Sequence, residues 1–273
     1  MTIAAVVQMV SSANVAQNLA SLDVAFKQAK DSGATLLALP ENYAFMGLSE
    51  TDKLTIAESF KAGIIQETTA KLAKHYSLWV IAGTLPLKSD NNRVKSACVV
   101  YDNLGKVAAR YDKIHLFDVK VSDTEAHQES LTVTPGDAIV TVDTPIGCVG
   151  LSVCYDLRFP ELYRALAKKG ATIFSIPSAF TKVTGLAHWD VLLKARAIEN
   201  LAYVLAPNQG GHHDNGRDTY GHSAIIDPWG KTEASLQEGA GLITASIDLK
   251  RVQTLRKEFP CVEHHRLEYR EES

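Results

Sequence analysis

The stretch Val149 to Leu162, VGLSVCYDLRFPEL, most limits how the chain can fold. An apolar run carrying Val149, Leu151 and Val153 stops at Cys154, and helix-start signals follow at once. Pro160 needs no amide partner in a first helical turn, and the Glu161 carboxylate suits the positive end of the helix dipole. The spacing predicts a strand that turns into a helix, with Cys154 on the turn. A side chain so placed projects from the end of a sheet beside the amides of the incoming helix, a geometry suited to a nucleophile with an oxyanion hole. The other reading is a buried thiol packed as a small hydrophobe.

Two further reactive groups occupy equivalent places. In Ala34 to Phe45 an apolar run ends at Pro40 and delivers Glu41; in Lys106 to Asp118 an alternating strand ends near Tyr111 and delivers Lys113. Ligands of sheet-based α/β folds bind at the carboxyl ends of strands, so a carboxylate, an ammonium and a thiol are expected on one rim. A thiol with a pKa near ~8.5 is mostly protonated at neutral pH, and a base such as Glu41 would generate the thiolate. Attack on an amide carbonyl puts negative charge on oxygen, where Lys113 and the backbone amide of Tyr155 would stabilise it. One such donor is worth about 3 kcal/mol of transition-state stabilisation. Taken singly, Glu41 also reads as a loop carboxylate or helix cap, and Lys113 as a solvated charge.

LPEN around Glu41, YDKIHLFD around Lys113 and CYDLRFPEL around Cys154 together resemble the nitrilase superfamily of carbon-nitrogen hydrolases, from about Ile3 to Leu267. The resemblance implies Glu41 as general base, Lys113 as transition-state stabiliser, Cys154 as nucleophile, and Glu129 in HQES as a supporting carboxylate. It implies an α/β fold, the four-layer αββα sandwich with two mixed sheets and helices outside. It also implies one domain over residues 1–273 with its core at about 3–267, a homodimer or higher homo-oligomer, and catalysis without a metal or organic cofactor.

At 273 residues and 46% hydrophobic content the chain can bury a substantial core, and no Pro/Ser-rich linker divides it. A net charge of -3 without long runs of one sign argues against nucleic-acid or membrane-surface partners. The amino terminus MTIAAVVQMV reads as a first strand, with neither a secretory signal nor a membrane span. Cys98, Cys148, Cys154 and Cys261 show no CxxC spacing. A reduced, cytoplasmic setting is expected.

Along the chain, Asn14 is placed to cap a helix whose apolar positions Leu19, Leu22, Phe26 and Ala29 recur at helical spacing until Gly33. A second helix is predicted near Gly63 to His75, and the strand LWVIAGTL follows. SACVVYDNLGKVAARY and AIVTVDTPIGCVGLSV read as hairpins. Val119 to Gly136, which holds Glu129, reads as a loop over the site's mouth. HWDVLLKARAIEN, His188 to Asn200, predicts a helix with Val191, Leu192, Ala195 and Ile198 on its apolar stripe. In the Gly/Asp/His-rich loop Gln209 to Ser223, the adjacent pair His212 and His213, with Asp214 and His222, lacks a zinc spacing, and recognition or packing is the preferred reading.

PSAFTKVTGLAHWDVLLKARAIEN and GGHHDNGRDTYGHSAIIDPWG resemble the deaminated glutathione amidase branch, which implies hydrolysis of the keto-acid form of glutathione to 2-oxoglutarate and cysteinylglycine. Lys182, His188 and Arg217 are the candidate contacts to an anionic substrate. The alternatives are an omega-amidase acting on 2-oxoglutaramate or succinamate, a nitrilase acting on nitriles, and a non-catalytic binding protein on the same scaffold.

Overall fold

The computed structural model describes residues 2–121 and 126–266. The end of the expected core at Leu267 and residues 122–125 of the expected mouth loop lie outside the described residues. In chain order the first half holds β1 (Thr2–Gln8), α1 (Val15–Asp31), β2 (Leu36–Ala38), α2 (Ile64–Tyr76), β3 (Trp79–Lys88), β4 (Val94–Tyr101), β5 (Val107–Asp112), β6 (Asp118–Lys120) and β7 (Ala126–Gln128). The second holds β8 (Thr141–Thr144), β9 (Gly147–Leu151), α3 (Pro160–Lys168), β10 (Ile173–Ser175), α4 (Lys182–Asn200), β11 (Tyr203–Ala206), β12 (Ser223–Ile226), β13 (Thr232–Leu236), β14 (Gly241–Ile247) and α5 (Leu249–Glu258).

Among the described residues these elements form two six-stranded sheets, ordered β14-β1-β2-β3-β4-β5 and β13-β12-β11-β10-β9-β8, and a two-stranded ribbon of β6 and β7. Both large sheets are mixed: β1, β2 and β3 run parallel in one and β9, β10 and β11 in the other, with antiparallel strands at both edges.

The period-two side-chain alternation of strands builds the layers. In the first sheet Ala4, Val6, Ile81, Cys98 and Val100 face a core shared with Val149, Leu151 and Ile173 of the second. The alternate residues Ala5, Val7, Val80, Ala82 and Val99 pack beneath Leu22 and Phe26 of α1 and Ile65 and Ala73 of α2. Leu162 and Leu166 of α3 and Trp189 and Leu193 of α4 cover the second sheet. The expected arrangement of two mixed sheets with helices outside is the one observed. Asn14 caps α1 by accepting from the Gln17 amide, as its position predicts.

Two expectations change. α4 begins at Lys182 rather than His188, because the Thr181 side chain caps it by accepting from the Thr184 amide. Its buried face carries Trp189, Leu193 and Ala197, whereas Val191 and Ile198 of the expected stripe are 67% and 47% exposed. The helix is apolar on two sides, so periodicity alone does not choose between them. The mouth segment is not wholly loop: β6 and β7 pair with Asp118 opposite Gln128, and a short 3-10 turn, Glu129–Leu131, follows. No helix among the described residues is long and apolar enough to cross a membrane.

Candidate active site

Cys154 follows β9 at the start of a 3-10 turn, Cys154–Arg158, and Pro160 then opens α3. The Cys154 amide donates to the Pro177 carbonyl at 2.9 Å, and its φ of +47° lies in the left-handed region. A non-glycine residue held there costs on the order of 1–3 kcal/mol, so the surroundings must impose it. Asp156 supplies part of that restraint, its carboxylate accepting from the Val153 amide at 2.8 Å.

Glu41 stands three residues past β2 and is 5% exposed. Gly83 of β3 lies directly against the Pro40 carbonyl, where any Cβ would collide with it. The bare backbone there lets the Glu41 loop settle onto the strand. Thr84 Oγ1 accepts from the Asn42 amide at 3.0 Å, and Gln209 Nε2 donates to the Glu41 carbonyl at 2.9 Å.

Lys113 follows β5 directly, and its backbone is fixed on both sides: its amide donates to the Ser96 carbonyl at 3.0 Å and its carbonyl accepts from the Gly136 amide at 2.8 Å. Nζ meets Glu41 Oε1 at 3.0 Å and Glu129 Oε1 and Oε2 at 3.1 and 2.8 Å. Three oxygen contacts match the three N–H bonds of an ammonium. Glu129 Oε2 also accepts from the Phe117 amide at 2.8 Å, and Glu41 Oε2 accepts from the Ala179 amide at 2.9 Å.

Two carboxylates around one ammonium leave this buried cluster with an excess negative charge beside the thiol. Burial pushes the Cys154 pKa far up, and the Glu41 charge and hydrogen bond add to it; Lys113 and the Ala179 amide pull the other way without overcoming them. These effects favour the thiol over the thiolate. Burial by itself would lower the Lys113 pKa, but the charges of Glu129, Glu41 and Cys154 outweigh it and hold the pKa well above the ordinary value.

Glu41, Lys113, Glu129, Cys154 and Tyr155 all line one cavity of about 700 Å³. Lys182 and Arg217 line it too, whereas His188 does not: its Nδ1 lies 3.2 Å from Nη1 of Arg158, which does. Lys182 Nζ pairs with Glu238 Oε1 at 3.2 Å. Arg217 Nη2 donates to the Ala179 carbonyl at 2.6 Å, and its buried Nε has no hydrogen-bond partner among the described residues. His213 is buried between the Ser11 carbonyl at 2.9 Å and the Thr219 hydroxyl at 2.8 Å, and no His/Cys/Asp/Glu group among the described residues is arranged to hold a metal ion.

Sequence reasoning passed over Arg158, Asp156, Ala179 and Gln209. Arg158 and Asp156 carried a signal, since both lie on the turn that Cys154 opens. Ala179 and Gln209 act through Glu41, distant in sequence, and gave none.

A family model described as "Carbon-nitrogen hydrolase" matches residues 3–257. The chain belongs to the carbon-nitrogen hydrolase family. Its relatives include proteins named deaminated glutathione amidase from Yersinia enterocolitica, 38% identical over 96% of this chain and 92% of the relative, and from Synechocystis sp., 41% identical over 96% and 97%. The human protein of that name is 39% identical over 96% of this chain and 81% of its own length. Among solved structures, the Caenorhabditis elegans NitFhit protein superposes with a TM-score of 0.91 at 38% identity; this chain is 97% covered and spans 65% of that fusion protein. An amidase from Nesterenkonia sp. superposes with a TM-score of 0.79 at 25% identity, over 95% of each chain. This carbon-nitrogen hydrolase is an amidase of the nitrilase superfamily with that superfamily's α/β fold.

Proposed function

We propose that this amidase hydrolyses deaminated glutathione through an acyl-thioester on Cys154. Glu41 takes the thiol proton as sulfur attacks the amide carbon, and the oxyanion is held by the Tyr155 amide and Lys113. Protonation of Glu41 removes one of the two charges holding Lys113, which turns an N–H toward the new oxyanion while Glu129 keeps the ammonium in place. Glu41 returns the proton to the departing nitrogen, the C–N bond breaks, and cysteinylglycine leaves. Water, deprotonated by Glu41, attacks the thioester; sulfur leaves with a proton and 2-oxoglutarate is released. The path uses side chains and backbone alone.

The observation that carries this reading is the convergence of Glu41, Lys113, Glu129 and Cys154 in one cavity that Arg158 and Arg217 also line. Deaminated glutathione carries a carboxylate at each end. Arg158 and Arg217 line the cavity, and among the described residues neither is paired with a carboxylate. Pockets of about 300–1,000 Å³ suit ligands of some tens of atoms, and a cavity near 700 Å³ has room for a tripeptide-sized amide. Amine and ammonia release assayed side by side on the two amides tests the choice. A higher kcat/KM for deaminated glutathione is expected; preference for 2-oxoglutaramate overturns the substrate.

The outward side of α4 presents Val191 and Ile198, two turns apart, at 67% and 47% exposure, and beside Ile198 Trp229 and Phe259 add half-exposed rings 5.8 Å apart. We infer that a second copy of this chain covers that patch, as large exposed apolar areas mark interaction surfaces. Sedimentation of the wild type at twice the chain mass, and of Val191→Glu nearer to the single-chain mass, is the expected result; a monomeric wild type excludes the dimer.

A further inference from the structure

We propose that Asp156 is a positioning residue that sets the placement of Lys113 relative to Cys154 across the two sheets. The inference rests on the reading of Cys154 as nucleophile and Lys113 as stabiliser of the oxyanion.

Asp156 is fully buried, two residues past Cys154, and no Lys or Arg lies within ion-pair distance of it among the described residues. Its carboxylate instead meets four donors. Oδ2 accepts from the Tyr111 hydroxyl at 2.6 Å and from the Val153 amide at 2.8 Å; Oδ1 accepts from the His115 amide at 3.0 Å and from His115 Nδ1 at 2.7 Å. Three of these donors belong to Tyr111 and His115, the residues two before and two after Lys113. The fourth is the amide just before Cys154. The Tyr111 hydroxyl also accepts from the Ile114 amide at 3.3 Å, tying in the residue next to Lys113. The His115 ring lies flat on Phe159 at 3.6 Å, which packs the lysine segment against the start of α3.

One carboxylate thus joins the segment that carries the ammonium, on the first sheet, to the turn that carries the sulfur, on the second. A carboxylate offers acceptors only, about four lone pairs on two oxygens, and here four donors converge on it. An amide of the same shape presents an NH2 in place of one oxygen, and although a tyrosine hydroxyl or an imidazole nitrogen can accept from it, a backbone amide cannot, so in Asp156→Asn either the Val153 amide or the His115 amide must lose its acceptor. The first loss frees the left-handed Cys154 turn; the second frees the lysine segment. Either changes the gap between nucleophile and ammonium, and small misplacements of reacting groups cost rate far more than binding.

The experiment compares wild type, Asp156→Asn and Tyr111→Phe by circular dichroism, by kcat and KM on the amide the wild type turns over, and by the rate at which iodoacetamide alkylates Cys154, read by mass spectrometry. For folded Asp156→Asn the expected result is a kcat roughly a hundredfold lower, KM within threefold, and Cys154 alkylation slowed about tenfold because the ammonium no longer sits beside the sulfur. A folded variant with kcat within threefold of wild type, or with alkylation unchanged or faster, overturns the inference. If Asp156→Asn does not fold, Tyr111→Phe decides: a kcat about tenfold lower at unchanged KM supports the inference, and unchanged kcat overturns it. Turnover that survives Cys154→Ala faults the nucleophile itself, a result separable from any of these.

Discussion

The floor and the mouth of the cavity are built on opposite terms. On the floor, Glu41, Lys113, Cys154 and Asp156 are at most 8% exposed, and hydrogen bonds to other segments of the chain hold each in place. At the mouth, Lys182 is 58% exposed and tied to Glu238, while Arg158 and Arg217 lean on a histidine ring and a backbone carbonyl. Burial makes the floor's charges strong and costly to disturb, and water at the mouth leaves its charges weaker and adjustable. On the proposed function, chemistry is fixed below and selectivity tuned above.

If that division holds, substitutions on the floor lower kcat and those at the mouth raise KM. The largest effect expected is from Cys154→Ala, a loss of about 10⁴-fold or more in turnover with the fold retained, checked by steady-state assay and circular dichroism. Glu41→Gln keeps the shape but removes the proton acceptor, and kcat is expected to fall about 10²- to 10⁴-fold with little change in KM. Arg158→Ala and Arg217→Ala should each raise KM for the dianionic amide roughly tenfold or more while kcat stays within threefold; a kcat loss without a KM change would merge mouth and floor.

The smallest expected effect is on stability and comes from His213, which is tied to Ser11 and Thr219 on the loop that also carries Arg217. Burial holds its pKa below the ordinary value, with a nearby Arg217 charge acting the same way against the hydrogen bond to Ser11. The folded state therefore favours the neutral ring: this contribution is present above the unfolded pKa of about 6.5 and is lost as pH falls through the lower folded value. Tm should drop on acidification below about pH 6.5, and His213→Asn should lose less Tm over that range, read by thermal melts.

The same division explains what could be read in the sequence. Apolar runs that end in a reactive side chain marked Glu41, Lys113 and Cys154, because a strand's length and its terminus are local properties. Glu129 read by itself as surface charge, since its contact with Lys113 closes across the β6 and β7 ribbon. Asp156 was invisible as a clamp because its partners Tyr111 and His115 lie 45 and 41 positions away. On α4 the chain offered two apolar sides, and only the packing of Trp189, whose Nε1 donates to the His222 carbonyl at 2.7 Å, fixes which one faces inward. His188 failed as a wall residue for the same reason: its helical phase points it at Arg158 instead of the cavity.

The thioester is the centre of the account, and rapid acid quench of the enzyme with deaminated glutathione, followed by peptide mass spectrometry, tests it most directly. The account predicts a 2-oxoglutaryl adduct on the Cys154 peptide, absent in Cys154→Ala. Turnover with no adduct on Cys154, undiminished in that variant, would contradict it.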